Sequence, residues 1–165
     1  MRCLGSKTDF DTIHAVINEA AAAYRGVIPA DRWKNPYMSA RELQHEMDSG
    51  VVFWGTGRSE AVVAVMGIQD VRDVTLIRHA YTLPEHQGTG LGTRLLGFLV
   101  SQATRPVLVG TWAAASRAVR FYEKNGFRLV PPEKKGVLLR TYWSIPERQI
   151  ETSVVLCNRP EKIPA

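Results

Sequence analysis

The chain has 165 residues, 45% hydrophobic and 22% charged, with a formal net charge of +5; this is ordinary globular composition, enough for a real core and sized for one domain over 1–165 with no room for a second. It has no run of about 18 apolar residues to span a membrane and no apolar N-terminal stretch like that of a signal peptide, so a membrane partner is not expected and a cytoplasmic location is the default. The 21 Lys and Arg are spread along the chain without a basic run or an aromatic–basic signature, which argues against nucleic acid and leaves a surface suited to a phosphate-rich small molecule.

Residues 2–4 read as a first strand. Thr8-Asp9-Phe10-Asp11 then opens a helix whose apolar positions Phe10, Ile13, Ile17, Ala20 and Tyr24 fall on one side, ended by Gly26 and Pro29. Residues 24–29 and 33–38 are irregular, aromatic and punctuated by proline. Loops this apolar cover a cavity or an interface, so Trp33, Tyr37 and Met38 either border a pocket or seal the core edge or a homodimer contact. Ser39-Ala40-Arg41-Glu42 is a capping box for a second helix that stops near Gly50. Strands follow at 51–55, 61–69 and 74–82. In the last of these, alternation puts Leu76, Arg78, Ala80 and Thr82 on one face and Ile77, His79 and Tyr81 on the other, so Arg78 and His79 point apart.

The next segment is the most informative: Pro84-Glu85-His86-Gln87-Gly88-Thr89-Gly90-Leu91-Gly92-Thr93-Arg94-Leu95-Leu96. Gly88, Gly90 and Gly92 let the backbone approach a ligand closely. Leu91, Leu95, Leu96 and Leu99 recur at helical spacing, so the turn opens a helix, whose first-turn amides and dipole form an anion site. Two other phosphate loops fail on residues their chemistry needs. A dinucleotide fingerprint from Gly88 requires glycine where Thr93 stands, and a P-loop from Gly92 meets Phe98 and Leu99 where Lys and Ser/Thr belong.

Beyond a strand at 107–111, residues 115–127, Ala-Ser-Arg-Ala-Val-Arg-Phe-Tyr-Glu-Lys-Asn-Gly-Phe, read as a short helix stopped by Asn125-Gly126 and followed by a strand. A last strand is read at 151–157, after a stretch at 138–153 whose Tyr142 and Trp143 either line a pocket or pack. Residues 158–165 read as a frayed tail. Cys3 and Cys157 form no CxxC, and His14, His45, His79 and His86 have no metal-ligand spacing, so no metal is implied. The order is α/β, a mixed sheet with antiparallel strands first and βαβ units later, flanked by helices.

Gln87-x-x-Gly90-x-Gly92 resembles the acyl-CoA-binding motif of the GNAT superfamily of N-acyltransferases. Residues 115–127 are similar to that family's second signature at every specified position except the first, where Ala115 replaces asparagine. The resemblance implies an acetyl-CoA-dependent N-acetyltransferase acting on a primary amine, more readily of a small molecule than of a protein, by direct attack through a tetrahedral intermediate. It implies that the backbone of Gln87, Gly88, Thr89, Gly90, Leu91, Gly92 and Thr93 binds the CoA pyrophosphate. It also implies that the strand end at Tyr81, Thr82 and Leu83 supplies amides to the carbonyl oxygen, and that Tyr122 stands beside the CoA sulfur as the leaving group's acid. The strand at 74–82 carries no carboxylate, which leaves His79, of a residue type that titrates near neutrality, as the leading base. Arg25, Arg32 and Arg78 are candidates to pair with an acceptor carboxylate. Ala115 and the missing carboxylate keep a second reading in view, a non-catalytic acyl-CoA sensor or carrier.

Overall fold

Only Arg72 and Asp73 separate two long strands, β3 (Ala61–Val71) and β4 (Val74–Thr82), a link that permits only an antiparallel hairpin. Arg72 takes φ 52°, as such a tight turn requires. The computed structural model describes residues 1–58 and 61–163. Its first half also holds β1 (Arg2–Leu4), α1 (Lys7–Ala21), α2 (Ala40–Asp48) and β2 (Val52–Arg58). The second half comprises α3 (Leu91–Gln102), β5 (Val107–Trp112), α4 (Ser116–Lys124), β6 (Arg128–Leu129), α5 (Pro132–Tyr142), α6 (Glu147–Thr152) and β7 (Ser153–Cys157). They form one seven-stranded sheet in the order β1-β2-β3-β4-β5-β7-β6. Among the described residues only β4 and β5 pair in parallel, with α3 as their crossover; β7 inserts antiparallel between β5 and β6.

Helices cover both faces. Ile13, Val16, Ile17 and Leu43 of α1 and α2 pack on Leu4, Phe53 and Val65. On the same face Leu138, Leu139 and Ile150 of α5 and α6 pack on Leu76, Leu108 and Val155. The opposite face carries Leu95, Leu96 and Leu99 of α3 with Tyr122 of α4, packed on Met66, Ile77, Val109 and Leu156. Each such aliphatic side chain contributes about 1.5–3 kcal/mol when fully buried. Among the described residues no helix is long and apolar enough to cross a membrane.

Four local features differ from the sequence reading, the first being the last strand, which starts at Ser153 and not at 151 because residues 147–152 form α6. The first helix is capped by Ser6, whose side chain accepts from the Asp9 amide while Asp9 Oδ2 accepts from the Ser6 amide at 2.9 Å; the capping box lies two residues upstream of Thr8, and Tyr24 falls in a separate 3₁₀ turn. Helix α5 arises where no helix was read, because Gly136 and a short apolar stripe mask its period, although Pro132 at its first turn and Glu133 beside it are ordinary start signals. The tail is held as far as Ile163: Asn158 Oδ1 accepts from the Val107 amide at 2.8 Å and Ile163 packs beside the α5–α6 cluster. Residues 164 and 165 lie outside the described residues.

Candidate active site

The site begins where the sheet comes apart. β4 pairs with β5 only at Thr75, Leu76 and Ile77; beyond them the two strands share no ladder among the described residues, while β4 stays on β3 and β5 on β7. A bulge in β4 shapes the opening. The register passes from Gly67↔Arg78 to Val65↔Tyr81, so His79 and Ala80 together face Met66, and His79 adopts φ 50°. A Cβ at Gly67 would meet the Arg78 carbonyl oxygen at 3.0 Å and Val51 Cγ1 at 2.6 Å, so glycine gives the bulge its room. One extra residue shifts the side-chain phase. Ile77 and Ala80 therefore pack under α3 and α4, whereas Tyr81 and Leu83 join the α1–α2 side. The regular alternation expected over 74–82 fails for this reason, and Arg78 and His79 reach the same partner.

That partner is Glu46 of α2. Its Oε2 lies 2.9 Å from Arg78 Nη2 and 3.1 Å from His79 Nε2, and Arg78 Nη1 also donates to Gln69 Oε1 at 3.1 Å. Burial works to raise the Glu46 pKa, but the neighbouring His79 and Arg78 outweigh it and hold the carboxyl below its ordinary value. Glu46 Oε2 and His79 Nε2 are buried and near one another without a well-directed hydrogen bond among the described residues. Sequence reasoning missed Glu46. Its only signal is position, one turn after Glu42 and one turn after the buried Leu43 on the inward side of α2.

The glycine turn lies against the open end of β4. Gly88 and Gly90 take φ 75° and 81°, and Gly90 caps α3. The amides of Leu91, Gly92 and Thr93 find no acceptor among the described residues, and Arg94 is the first to bond back, to the Gly90 carbonyl at 3.0 Å. Thr89 Oγ1 donates to the His86 carbonyl, and Gln87 Nε2 donates to the Thr82 carbonyl at 3.1 Å, tying the turn to the strand. The Leu83 amide is occupied, donating to the Val63 carbonyl at 2.9 Å. Successive amides of a strand point to opposite edges, so Thr82 aims its amide at the opening while Leu83 does not. Leu83 is thereby removed from the expected amide set, and so is Tyr81, which lies two residues before it on the same edge and pairs with Val65 of β3.

Across the opening stands α4. Tyr122 is 5% exposed, packed edge-on against Phe121 and Phe127 at centroid distances of 5.1 and 5.7 Å, and it lines the cleft. Its hydroxyl has no hydrogen bond among the described residues. Burial pushes its phenol far above the ordinary value. Ala115 is buried beside Ile28 and Trp112 and lines the cleft.

These parts line one cleft of about 1350 Å³. At one end α4 supplies Arg117, Arg120 and Lys124. At the other, Tyr37 contacts Trp33, Tyr24 and Tyr81 with ring centroids 5.6, 5.9 and 6.4 Å away, and its hydroxyl accepts from Trp112 Nε1 at 3.1 Å. Burial pushes the Tyr24 phenol up to about 12. Trp143 lies over Gly110, and Arg148 of α6 reaches Asp31 at 3.4 Å, linking α6 to the aromatic loop. Arg32 lines this end, whereas Arg25 is exposed outside the cleft. Tyr142 is turned away into the α5 core, where its hydroxyl donates to Asp73 at 2.7 Å. Among the described residues no group of three His, Cys, Asp or Glu side chains is placed to hold a metal ion.

The cleft can be set beside known proteins. No curated protein matches the sequence. Among solved structures, the chain is similar to a GNAT-family acetyltransferase from Staphylococcus aureus Mu50, at 15% identity, TM-score 0.66, covering 93% of this chain and 94% of that one. It is similar to the PaiA N-acetyltransferase of Thermoplasma acidophilum, solved with coenzyme A, at 15% identity, TM-score 0.66, covering 95% and 98%. It is also similar to the ribosomal-protein-S18-alanine N-acetyltransferase of Escherichia coli, at 15% identity, TM-score 0.62, covering 93% and 88%. At such identities these likenesses speak for the fold. A family model described as acetyltransferase (GNAT) domain matches residues 15–140, most of the chain and every part of the cleft except the edge formed by residues 143–153, and the protein belongs to the GNAT family of acetyltransferases.

Proposed function

We propose that the chain acts as a single-domain N-acetyltransferase, moving the acetyl group of acetyl-CoA to a primary amine of a small molecule by direct attack through a tetrahedral intermediate. The observation that carries this reading is the split of β4 from β5 directly beside the unpartnered amides of α3. An extended thioester arm fits the split and a diphosphate fits the amides. The co-substrate supplies an activated acyl group; the rest falls to this chain.

The amides of Leu91, Gly92 and Thr93 hold the pyrophosphate, with Gly88, Thr89 and Gly90 shaping the turn and Gln87 bracing it. The Thr82 amide donates to the carbonyl oxygen as it gains charge. A primary amine of pKa about 10 is only about 0.1% neutral at pH 7, so attack needs a base. His79 fills that role. Its Nε2 is buried against Glu46, which leaves Nδ1 to take the proton directly or through a water, and the carboxylate favours the tautomer with hydrogen on Nε2. The Tyr122 hydroxyl donates a hydrogen bond to the departing sulfur.

Acetyl-CoA incubated with the protein and a panel of amines tests the reading. Acceptor-dependent release of free thiol above the hydrolysis background is expected. Tight acetyl-CoA binding with no release across the panel would instead mark a sensor or carrier.

A further inference from the structure

The acceptor end of the cleft has an imbalance of charge. It is lined by four cations, Arg32, Lys34, Arg41 and Arg78, and two carboxylates, Glu42 and Glu46. Both carboxylates are already engaged. Lys34 is bonded to Glu42, whose second oxygen closes the α2 cap on the Ser39 amide at 2.8 Å, and Glu46 holds Arg78. Arg32 and Arg41 have no carboxylate partner among the described residues. Guanidinium groups without a carboxylate partner that line one cleft favour an anion there, which planar guanidinium recognises as carboxylate or phosphate.

We infer that the acceptor is an amine that also carries an anionic group, held by Arg41 and Arg32 while its amino nitrogen lies at His79. Arg41 and Glu46 both belong to α2 and both line the cleft, as does Arg32 of the aromatic loop. Nearby positive charge also lowers the pKa of an amine, which enlarges the neutral fraction that attacks. The wall formed by Tyr24, Tyr37 and Tyr81 then meets the apolar body of the acceptor. Arg78, an earlier candidate for this role, is neutralised by Glu46.

The inference rests on the transferase reading, and matched probes keep the two apart. L-phenylalanine and L-phenylalaninamide differ only in the anionic group; O-phosphoethanolamine offers phosphate, spermidine offers only cations, and an alanyl peptide with an amidated C-terminus offers a chain N-terminus. We expect kcat/KM for L-phenylalanine or O-phosphoethanolamine to exceed that of the amide, spermidine and the peptide at least tenfold. In Arg41→Gln and Arg32→Gln the KM for the anionic probe should rise about 10–100-fold, with the KM for acetyl-CoA unchanged. Preference for the amide, spermidine or the peptide overturns the inference and leaves the transferase standing. Absence of thiol release with every probe overturns the transferase reading; calorimetry of the same probes on CoA-loaded protein then decides the inference, supported by anion-selective binding weakened in Arg41→Gln and overturned by its absence.

Discussion

Replacing Tyr122 by Phe removes one oxygen from the cleft and almost nothing from the core. The hydroxyl bonds to no described residue, and the ring keeps its contacts with Phe121 and Phe127, so unfolding stability should change by no more than about 0.5 kcal/mol. The catalytic cost follows from the pKa order. An alkyl thiol near 8.5 and an ordinary phenol near 10 differ by about 1.5 units, or about 2 kcal/mol, against proton transfer from phenol to thiolate. Burial raises the Tyr122 phenol further, so full transfer is disfavoured and a hydrogen bond to the sulfur is what remains. A hydrogen bond to a charged group contributes about 1.5–3 kcal/mol, so kcat should fall about 10–150-fold. Initial rates of thiol release at saturating acetyl-CoA measure it, with a melting curve and acetyl-CoA calorimetry as controls, both expected to match wild type. Turnover within threefold of wild type would refute the hydrogen-bond role. A loss beyond a thousandfold with fold and binding intact would refute the pKa argument.

Three further outcomes follow from the same structure. His79→Gln should abolish the acidic limb of the kcat/KM profile, and an unmoved limb removes His79 as the base; Glu46→Gln should cost about 1–3 kcal/mol by denaturant unfolding because Arg78 loses its partly buried partner. Asp9, Glu42 and Glu46 all have carboxyl pKa values held below the ordinary range, Glu42 at about 2, so the stability they contribute is present above the unfolded-state pKa of about 4 and is lost as pH falls through the folded values. Melting temperature should accordingly drop between about pH 5 and 2, and Ser39→Ala, which removes a cap worth about 1 kcal/mol, should flatten that slope; parallel slopes would contradict it. Gly90→Ala forces a side chain onto φ 81° and should cost about 1–2 kcal/mol together with at least tenfold in acetyl-CoA affinity, whereas Gly97→Ala, in α3 with nothing within 4 Å of its added Cβ, should gain about 0.5–1 kcal/mol; equal effects in the two variants would show that backbone dihedral is not what matters at 90.

Much of the donor side was legible because local rules govern it. The turn at 87–93 is read from glycines that need positive φ and leucines at helical spacing, and both properties belong to neighbours in the chain. The Ser39 capping box and the Gly126 stop, at φ 85°, are local for the same reason. Helix α5 escaped because its burial face is set by contact with β7 rather than by a strong period of its own.

The acceptor side was not legible. Glu46 and His79 are 33 positions apart and meet only because α2 lies over β4, and no residue-by-residue pattern specifies a bulge that depends on how β3 and β4 align. By itself the sequence determined an α/β order and a glycine turn that opens a helix with free first-turn amides, since short-range backbone preferences encode these. Tertiary structure alone decided that Arg78 and His79 share a carboxylate, that Leu83 spends its amide on β3 while Thr82 faces the opening, and that Arg41 lines the cleft where Arg25 does not. A one-residue slip between paired strands reverses which side chains face a site, and that slip is fixed by packing across the sheet.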